Sequence, residues 1–143
     1  MEKIVVGIDG SPAAKAALEW AIAEARLREA RLLVVQAWDV PVVAYATPYV
    51  AGASVELVEA ERTAAGDALD AALEHVDWEG VDLQRKVVQG APAQSLLDAS
   101  ENADLLVVGS RGHGGFAGLL LGSVSQQCAH HAHCPVVIVR SPA

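Results

Sequence analysis

Short apolar runs alternate with helix-like segments from one end of the sequence to the other. The chain of 143 residues is long enough for one complete hydrophobic core. Alternation of this kind predicts parallel strands joined by right-handed helical crossovers, with helices on both faces of the sheet. We therefore expect a single-domain, Rossmann-like α/β fold over residues 1–143, with a five-stranded parallel sheet in the order 3-2-1-4-5. The predicted strands are 3–9, 32–37, 81–89, 104–108 and 135–140, and the predicted helices are 12–25, 54–76, 92–100 and 123–132.

Local signals mark where two of the helices begin. Ser11 can cap the first helix, and Pro12 suits the first helical position. Ser123 and Gln126 have the spacing of a capping box, which predicts that the last helix starts at Ser123. The third strand carries charge on one face, as an exposed edge strand does, whereas the last strand is apolar on both faces. If the last strand lies at an edge of the sheet, its exposed edge needs to be covered by another segment or chain.

Composition excludes several classes of partner. The net charge is −8, and the three lysines and seven arginines are spread along the chain, so no basic stripe for a nucleic acid is present. The apolar runs are too short to span a bilayer, and the first residues do not read as a signal peptide. Two cysteines, Cys128 and Cys134, suit buried thiols in a reducing compartment. We expect a cytoplasmic protein that binds neither nucleic acid nor membrane.

The most informative segment is the glycine-rich stretch at residues 109–125, which contains six glycines. Such a loop can wrap a polyphosphate with main-chain donors. It leads into the helix at Ser123, whose free amides and dipole favour an anion. The lysine of a P-loop is missing, and the dinucleotide fingerprint is matched only loosely. The segment therefore predicts phosphate binding without fitting either standard motif.

One spacing does match a known signature. Gly109 is followed after two residues by Gly112, and then after nine residues by Gly122 and Ser123. This spacing resembles the ATP-binding signature of the universal stress protein family. The resemblance extends over the whole chain, through residues 7–11 at the end of the first strand, 107–114 around the loop and 134–140 at the last strand.

The resemblance implies a nucleotide-dependent regulatory or stress-response protein that acts as a homodimer through the strand from Val136 to Arg140. It implies ATP as the ligand, with Mg²⁺ or Mn²⁺ carried on the phosphates, although another nucleotide or a cyclic nucleotide stays open. Asp9 would contact the nucleoside end, and backbone groups around Ala37 would meet the adenine. The full set of predicted nucleotide-binding residues is Ile8, Asp9, Ala37, Val108, Gly109, Arg111, Gly112, His113, Gly122, Ser123, Val124 and Ser125.

Plainer interpretations exist for the same residues. Asp9 can be a turn former beside a glycine, and Arg111 can be a solvated loop residue as readily as a phosphate ligand. The alternative function is a slow ATPase or an autophosphorylating phosphotransferase, with Ser123 or Ser125 phosphorylated and His113 orienting a water. No general base or cluster of carboxylates accompanies the loop, as phosphoryl transfer requires, so we predict no catalytic residue.

Three further classes are weaker. A zinc site could draw on thiolates and imidazoles near the end of the chain, but these residues form no CxxC or HxxxH pair, so we predict no metal site. A response-regulator receiver needs an acidic cluster after the first strand, and Asp9 stands alone there. A flavin carrier remains open on fold alone, which does not fix function. The residues in question near the end of the chain are Cys128, His130, His131, His133 and Cys134.

Overall fold

The computed structural model describes residues 1–40, 51–111 and 121–141, and for 51–54 the backbone alone. Strands and helices alternate throughout these ranges, as the sequence predicts. The elements in chain order are β1 (Lys3–Ile8), α1 (Pro12–Arg28), β2 (Arg31–Trp38), α2 (Ala51–Glu74), β3 (Asp82–Gln89), α3 (Pro92–Ala99), β4 (Leu105–Gly109), α4 (Ser123–His131) and β5 (Val136–Val139).

The strands form one sheet in the order β3-β2-β1-β4-β5, and every pairing is parallel. The predicted fold class and strand order are confirmed. In the middle of the sheet, Ile4 of β1 pairs with Leu32 on one side and with Leu105 on the other. The strand order reverses between β1 and β4, and open α/β sheets bind ligands beyond the carboxyl ends at such a point. β3 and β5 are the two edge strands.

The core has one layer on each face of the sheet. Successive residues of β1 point to opposite faces: Ile4 and Val6 pack with α1 and α2, whereas Val5 packs with the α3 and α4 layer. All three side chains are completely excluded from solvent. Because both faces are covered, the carboxyl ends of the central strands are held in fixed positions by the core beneath them.

The signals at the helix starts have different outcomes. Ser11 caps α1, accepting the Ala14 amide at 3.2 Å, and Pro12 is the first helical residue, as predicted. α4 begins at Ser123, also as predicted, but the capping box is wrong. Gly122 is the N-cap, in extended conformation, and no side chain caps the helix. The cap lies one residue earlier because the Gly122 amide is held by the Ser110 carbonyl oxygen at 2.7 Å.

The remaining boundaries shift by small amounts. α2 begins at Ala51 rather than residue 54, so the end of the segment predicted as a loop belongs to the helix; residues 41–50 of that segment lie outside the described part. Strand ends differ by one residue, and Asp9 and Arg140 follow their strands instead of ending them. In the ranges that the structure covers, no helix has the length and apolar character needed to cross a membrane.

Candidate functional site

Three predicted site residues lie at the carboxyl end of the sheet. Asp9 directly follows β1, Gly109 ends β4, and Ala37 is the penultimate residue of β2. Ile8 pairs with Gln36, so Asp9 and Ala37 each stand one residue beyond that pair. The carboxyl ends of parallel strands lie at the same end of the sheet. The fold therefore brings these positions to the crevice where the strand order reverses.

The Ser110 carbonyl joins the two ends of the glycine-rich segment. It accepts the Gly122 amide at 2.7 Å and the Ser125 hydroxyl at 2.9 Å. The Ser110 amide in turn donates to the Val139 carbonyl of β5 at 2.7 Å. These bonds fix the first turn of α4 against the end of β4, and they are buried, since both serines are almost fully excluded from solvent.

A second set of contacts links the turn after β1 to the same place. Asp9 Oδ1 accepts the Ser11 amide at 2.9 Å, which is the local turn contact that Asp commonly makes. The Ser11 hydroxyl donates to the Arg111 carbonyl at 3.5 Å. The turn carrying Asp9 is therefore tied to the loop that follows β4, while the Asp9 side chain itself remains exposed.

Gly109 has a packing role that is independent of any ligand. A Cβ at this position would lie 2.7 Å from the carbonyl carbon of Ala13 and 2.9 Å from its Cβ, closer than such atoms approach. Only glycine lets the end of β4 come so close to the first turn of α1. That close approach brings the N-terminal end of α1 to the end of β4, beside which Ser110 holds the first turn of α4.

The first turn of α4 supplies the chemistry for an anion. Amides in the first turn of a helix have no intrahelical acceptor and carry the positive end of the dipole, and this turn contains no acidic residue. Ser123 is exposed there, so its hydroxyl is accessible. The Ser125 hydroxyl is instead buried, with the Gly122 carbonyl at 3.0 Å as its second acceptor. The two serines are thus not equivalent.

The rest of the predicted set is distributed around this centre. Ile8 and Val108 are buried in the two core layers under the crevice. Val124 is partly buried against the α3 and α4 layer, and Arg111 is partly exposed beside Ser110. Gly112 and His113 lie outside the described residues. The structure gathers the described members at one crevice, and their contacts to a ligand stay predictions.

The cysteines and histidines near the end of the chain lie away from this crevice. Cys128 is fully buried in α4, and burial raises the pKa of its thiol to about 11. Desolvation also raises the pKa of the Cys134 thiol, and both cysteines are free. His130 and His131 occupy the last turn of α4, where the dipole favours them. Among the described residues, no three His, Cys, Asp or Glu side chains are grouped to hold a metal ion.

Two residues at the crevice were missed by the sequence analysis. Ser110 carries the junction described above, and nothing in its spacing distinguishes it from the neighbouring loop residues. Gln36 lies in β2 with its Oε1 atom buried and without a hydrogen-bond partner. Its signal was present, because Gln36 is the one polar residue between Leu32 and Trp38 in an otherwise apolar strand.

A parallel sheet in this order, with a glycine-rich connection leading into a helix N-terminus at the reversal point, defines an open α/β protein of the Rossmann-like class. The sequence profile of the Universal stress protein family matches residues 1–140. The chain belongs to this family.

Curated relatives agree with that assignment. A universal stress protein of Thermus aquaticus is 41% identical over 140 residues, covering 96% of this chain and 97% of the relative. A universal stress protein of Mycobacterium tuberculosis (strain H37Rv) is 39% identical over 142 residues, covering 96% of this chain but 45% of the relative. The chain thus spans about half the length of the mycobacterial relatives that it matches.

Solved structures show the same fold. The universal stress protein UspA from Lactobacillus plantarum superposes with a TM-score of 0.84 at 28% identity, covering 97% of both chains. A universal stress protein solved in complex with cAMP has a TM-score of 0.64 at 30% identity, covering 99% of this chain and 98% of the other.

Proposed function

We propose that this protein binds an adenine nucleotide, ATP with Mg²⁺ or Mn²⁺ on its phosphates, at the carboxyl end of the sheet, and acts as a nucleotide-dependent regulatory protein of the stress response. The observation that carries the proposal is the junction at Ser110, which holds the first turn of α4 open beside β4. The relative solved with cAMP supports an adenine nucleotide as the class of ligand.

The predicted site residues are arranged so that they could contact the phosphates, the ribose and the base of a nucleotide in that order. Phosphate oxygens would accept from amides of the first turn of α4 and from the Ser123 hydroxyl, where no acidic side chain opposes them. The ribose would lie near Asp9, whose carboxylate is exposed at the end of β1. The base would then extend over β2 toward the backbone of Ala37. With no P-loop lysine present, a divalent cation on the phosphates would supply the countercharge.

Binding fits this crevice better than turnover does. Among the predicted site residues that the structure describes, Asp9 is the one carboxylate, and one of its oxygens already accepts the Ser11 amide. Phosphoryl transfer uses a positioned base and carboxylates that hold the metal, and this set offers neither. A regulatory protein binds a nucleotide and releases it unchanged. Steady release of ADP would instead favour the alternative of a slow ATPase.

We further propose that two copies pair through β5 and the following Arg140. β5 is an edge strand, and all four of its residues are only partly buried. Valine and isoleucine along an open edge present a ready template for another chain, and a second β5 would cover them. Cys128 and Cys134 are free thiols, which supports a cytoplasmic location for this dimer.

The test of nucleotide binding places a negative charge where the phosphates would bind. Ser123→Asp leaves the empty fold intact, because an acidic residue in the first turn of a helix is stabilising by about 0.3–1 kcal/mol. A phosphate at that turn would meet a like charge a few ångströms away, at a cost of about 1–4 kcal/mol. Isothermal titration calorimetry with ATP and Mg²⁺ should therefore show a Kd that is weaker by about fivefold or more for Ser123→Asp.

Ser123→Asn is the matched control, because asparagine has the shape of aspartate without its charge. This variant should bind ATP with close to the wild-type affinity. The same samples are assayed for ADP. We expect micromolar binding, about −8 kcal/mol, without turnover. A wild-type protein that binds no ATP, or a Ser123→Asp variant that binds it normally, refutes this site; steady ADP release makes the protein an ATPase.

A further inference from the structure

Gln36 is the unusual residue of the inner sheet. It lies near the end of β2 between Ile8 of β1 and Val87 of β3. Its side-chain Oε1 is buried and has no hydrogen-bond partner, the one buried side-chain nitrogen or oxygen of this kind in the parts of the chain that the structure describes. A buried amide oxygen without a donor is destabilising, because its bonds to water are lost and not replaced.

The neighbouring residues do not supply that donor. Gln36 projects from the same face of β2 as Leu32 and Val34, which belong to the α1 and α2 core layer. Its cross-strand partners Ile8 and Val87 are apolar and pack in the same layer. A leucine at this position would fill the space without the polar cost. Gln36 is partly exposed as a residue although its Oε1 is buried, so a ligand at the carboxyl end of the sheet meets this oxygen when the side-chain amide turns outward.

That end of the sheet is the proposed nucleotide crevice, and the inference rests on the proposed function. Gln36 is one residue below Ala37 in β2, a rise of about 3.3 Å, which a glutamine side chain exceeds. β1 separates β4 from β2, so the carboxyl ends of β4 and β2 are about 10 Å apart across the sheet. A nucleotide with its phosphates at α4 and its ribose over β1 would carry its base to β2.

We propose that Gln36 determines which purine this crevice accepts. Oε1 accepts a hydrogen bond from the exocyclic 6-amino group of adenine, which satisfies the one buried side-chain oxygen left without a donor in the described part of the chain. A 6-oxo purine, as in guanine or hypoxanthine, presents an acceptor at the same place. Two acceptors would then face each other in a dry site, and the oxygen would remain unpaired.

The experiment compares ATP with ITP, which differ at the purine in having a 6-amino or a 6-oxo group. Calorimetry with Mg²⁺ gives the Kd of each for the wild type and for Gln36→Leu. We expect the wild type to prefer ATP by about tenfold or more, and Gln36→Leu to bring the two affinities close together. Gln84→Leu is the matched control, because Gln84 is exposed on the edge strand β3, and it should keep the wild-type preference.

Thermal unfolding of the nucleotide-free variants provides the second readout. Gln36→Leu removes a buried unpaired oxygen, so its Tm should equal or exceed that of the wild type. A lower Tm with equal weakening of ATP and ITP would assign Gln36 a structural role and overturn the inference. So would a preference for ATP that survives in Gln36→Leu, or a wild type that binds ATP and ITP equally or prefers ITP. If the wild type binds neither nucleotide, the proposed function itself fails.

Discussion

Two serines in the first turn of α4 differ in what their hydroxyls can do. The Ser125 hydroxyl is buried and lies 2.9 Å from the Ser110 carbonyl and 3.0 Å from the Gly122 carbonyl. Ser123, two residues earlier, is exposed and makes no capping bond. A signature that treats both as phosphate ligands does not distinguish them. In this chain Ser125 holds the loop ends together, which is a contribution to stability before any ligand arrives.

This difference gives a prediction for the two alanine variants. Ser125→Ala should lower the free energy of unfolding by about 1 kcal/mol, because a buried hydrogen bond is lost while both carbonyls keep a backbone donor. Ser123→Ala should be neutral within about 0.5 kcal/mol, as exposed sites usually are. Urea unfolding of the nucleotide-free proteins measures both. Equal stability of the two variants would contradict the assignment of Ser125 to the loop junction.

At single positions, the sequence predicted the residue roles that follow from residue type. It missed the roles that depend on which side chains are buried. Asp9 and Gly109 were identifiable because each comes directly after an apolar run, and the structure places both at the carboxyl end of the sheet. The packing reason for Gly109, its contact with Ala13, comes from a helix that is distant in sequence. Whether Gln36 has a partner likewise depends on what β1 and β3 place beside it.

Among the helices, the ends that are determined by contacts between residues close in sequence were predicted best. Ser11 caps α1 through an amide three residues away, so its role can be deduced from spacing alone. The cap of α4 was mispredicted because Gly122 is held by Ser110, across the glycine-rich segment.

β5 is the element that tests the proposed dimer. The carbonyls of Pro135 and Val139 accept amides from the β4 side, so the peptide groups of Ile138, between them in the alternation, face outward. Ile138→Pro therefore removes a donor from the outer edge while the pairing with β4 remains, as prolines on edge strands do. Sedimentation equilibrium should show that this variant dissociates at concentrations where the wild type is a dimer.

Ile138→Ala separates the lost donor from the lost side chain, since Ile138 also packs on the α3 and α4 layer. The alanine variant keeps the outward amide and should remain more dimeric than the proline variant. Equal dissociation of the two would place the interface in side chains instead of the strand ladder, and a dimeric proline variant would refute pairing through β5.

On the scale of the whole molecule, the alternation of apolar runs and helical segments was enough to predict a parallel sheet with helices on both faces. Every apolar strand needs covering helices, and right-handed crossovers leave few ways to arrange five parallel strands. What the alternation does not determine is the electrostatic field around the assembled sheet. The net charge is −8, and α2 alone holds six acidic residues and one arginine. The negative charge is thus concentrated on the helix that covers β2 and β3.

This field makes a prediction about salt. ATP without a metal ion is a polyanion, and a protein of net charge −8 repels it over about 30 Å at 0.01 M salt but over only about 8 Å at 0.15 M. Attraction at the first turn of α4 falls off within that turn, so it acts on ATP that is already at the site, whereas the repulsion acts at a distance. Without Mg²⁺, ATP should therefore bind more tightly at 150 mM than at 10 mM NaCl, and Mg²⁺ should reduce the difference. Fluorescence titration at both salt concentrations measures this; weaker binding at higher salt would show that local cationic attraction dominates over the field of the whole molecule.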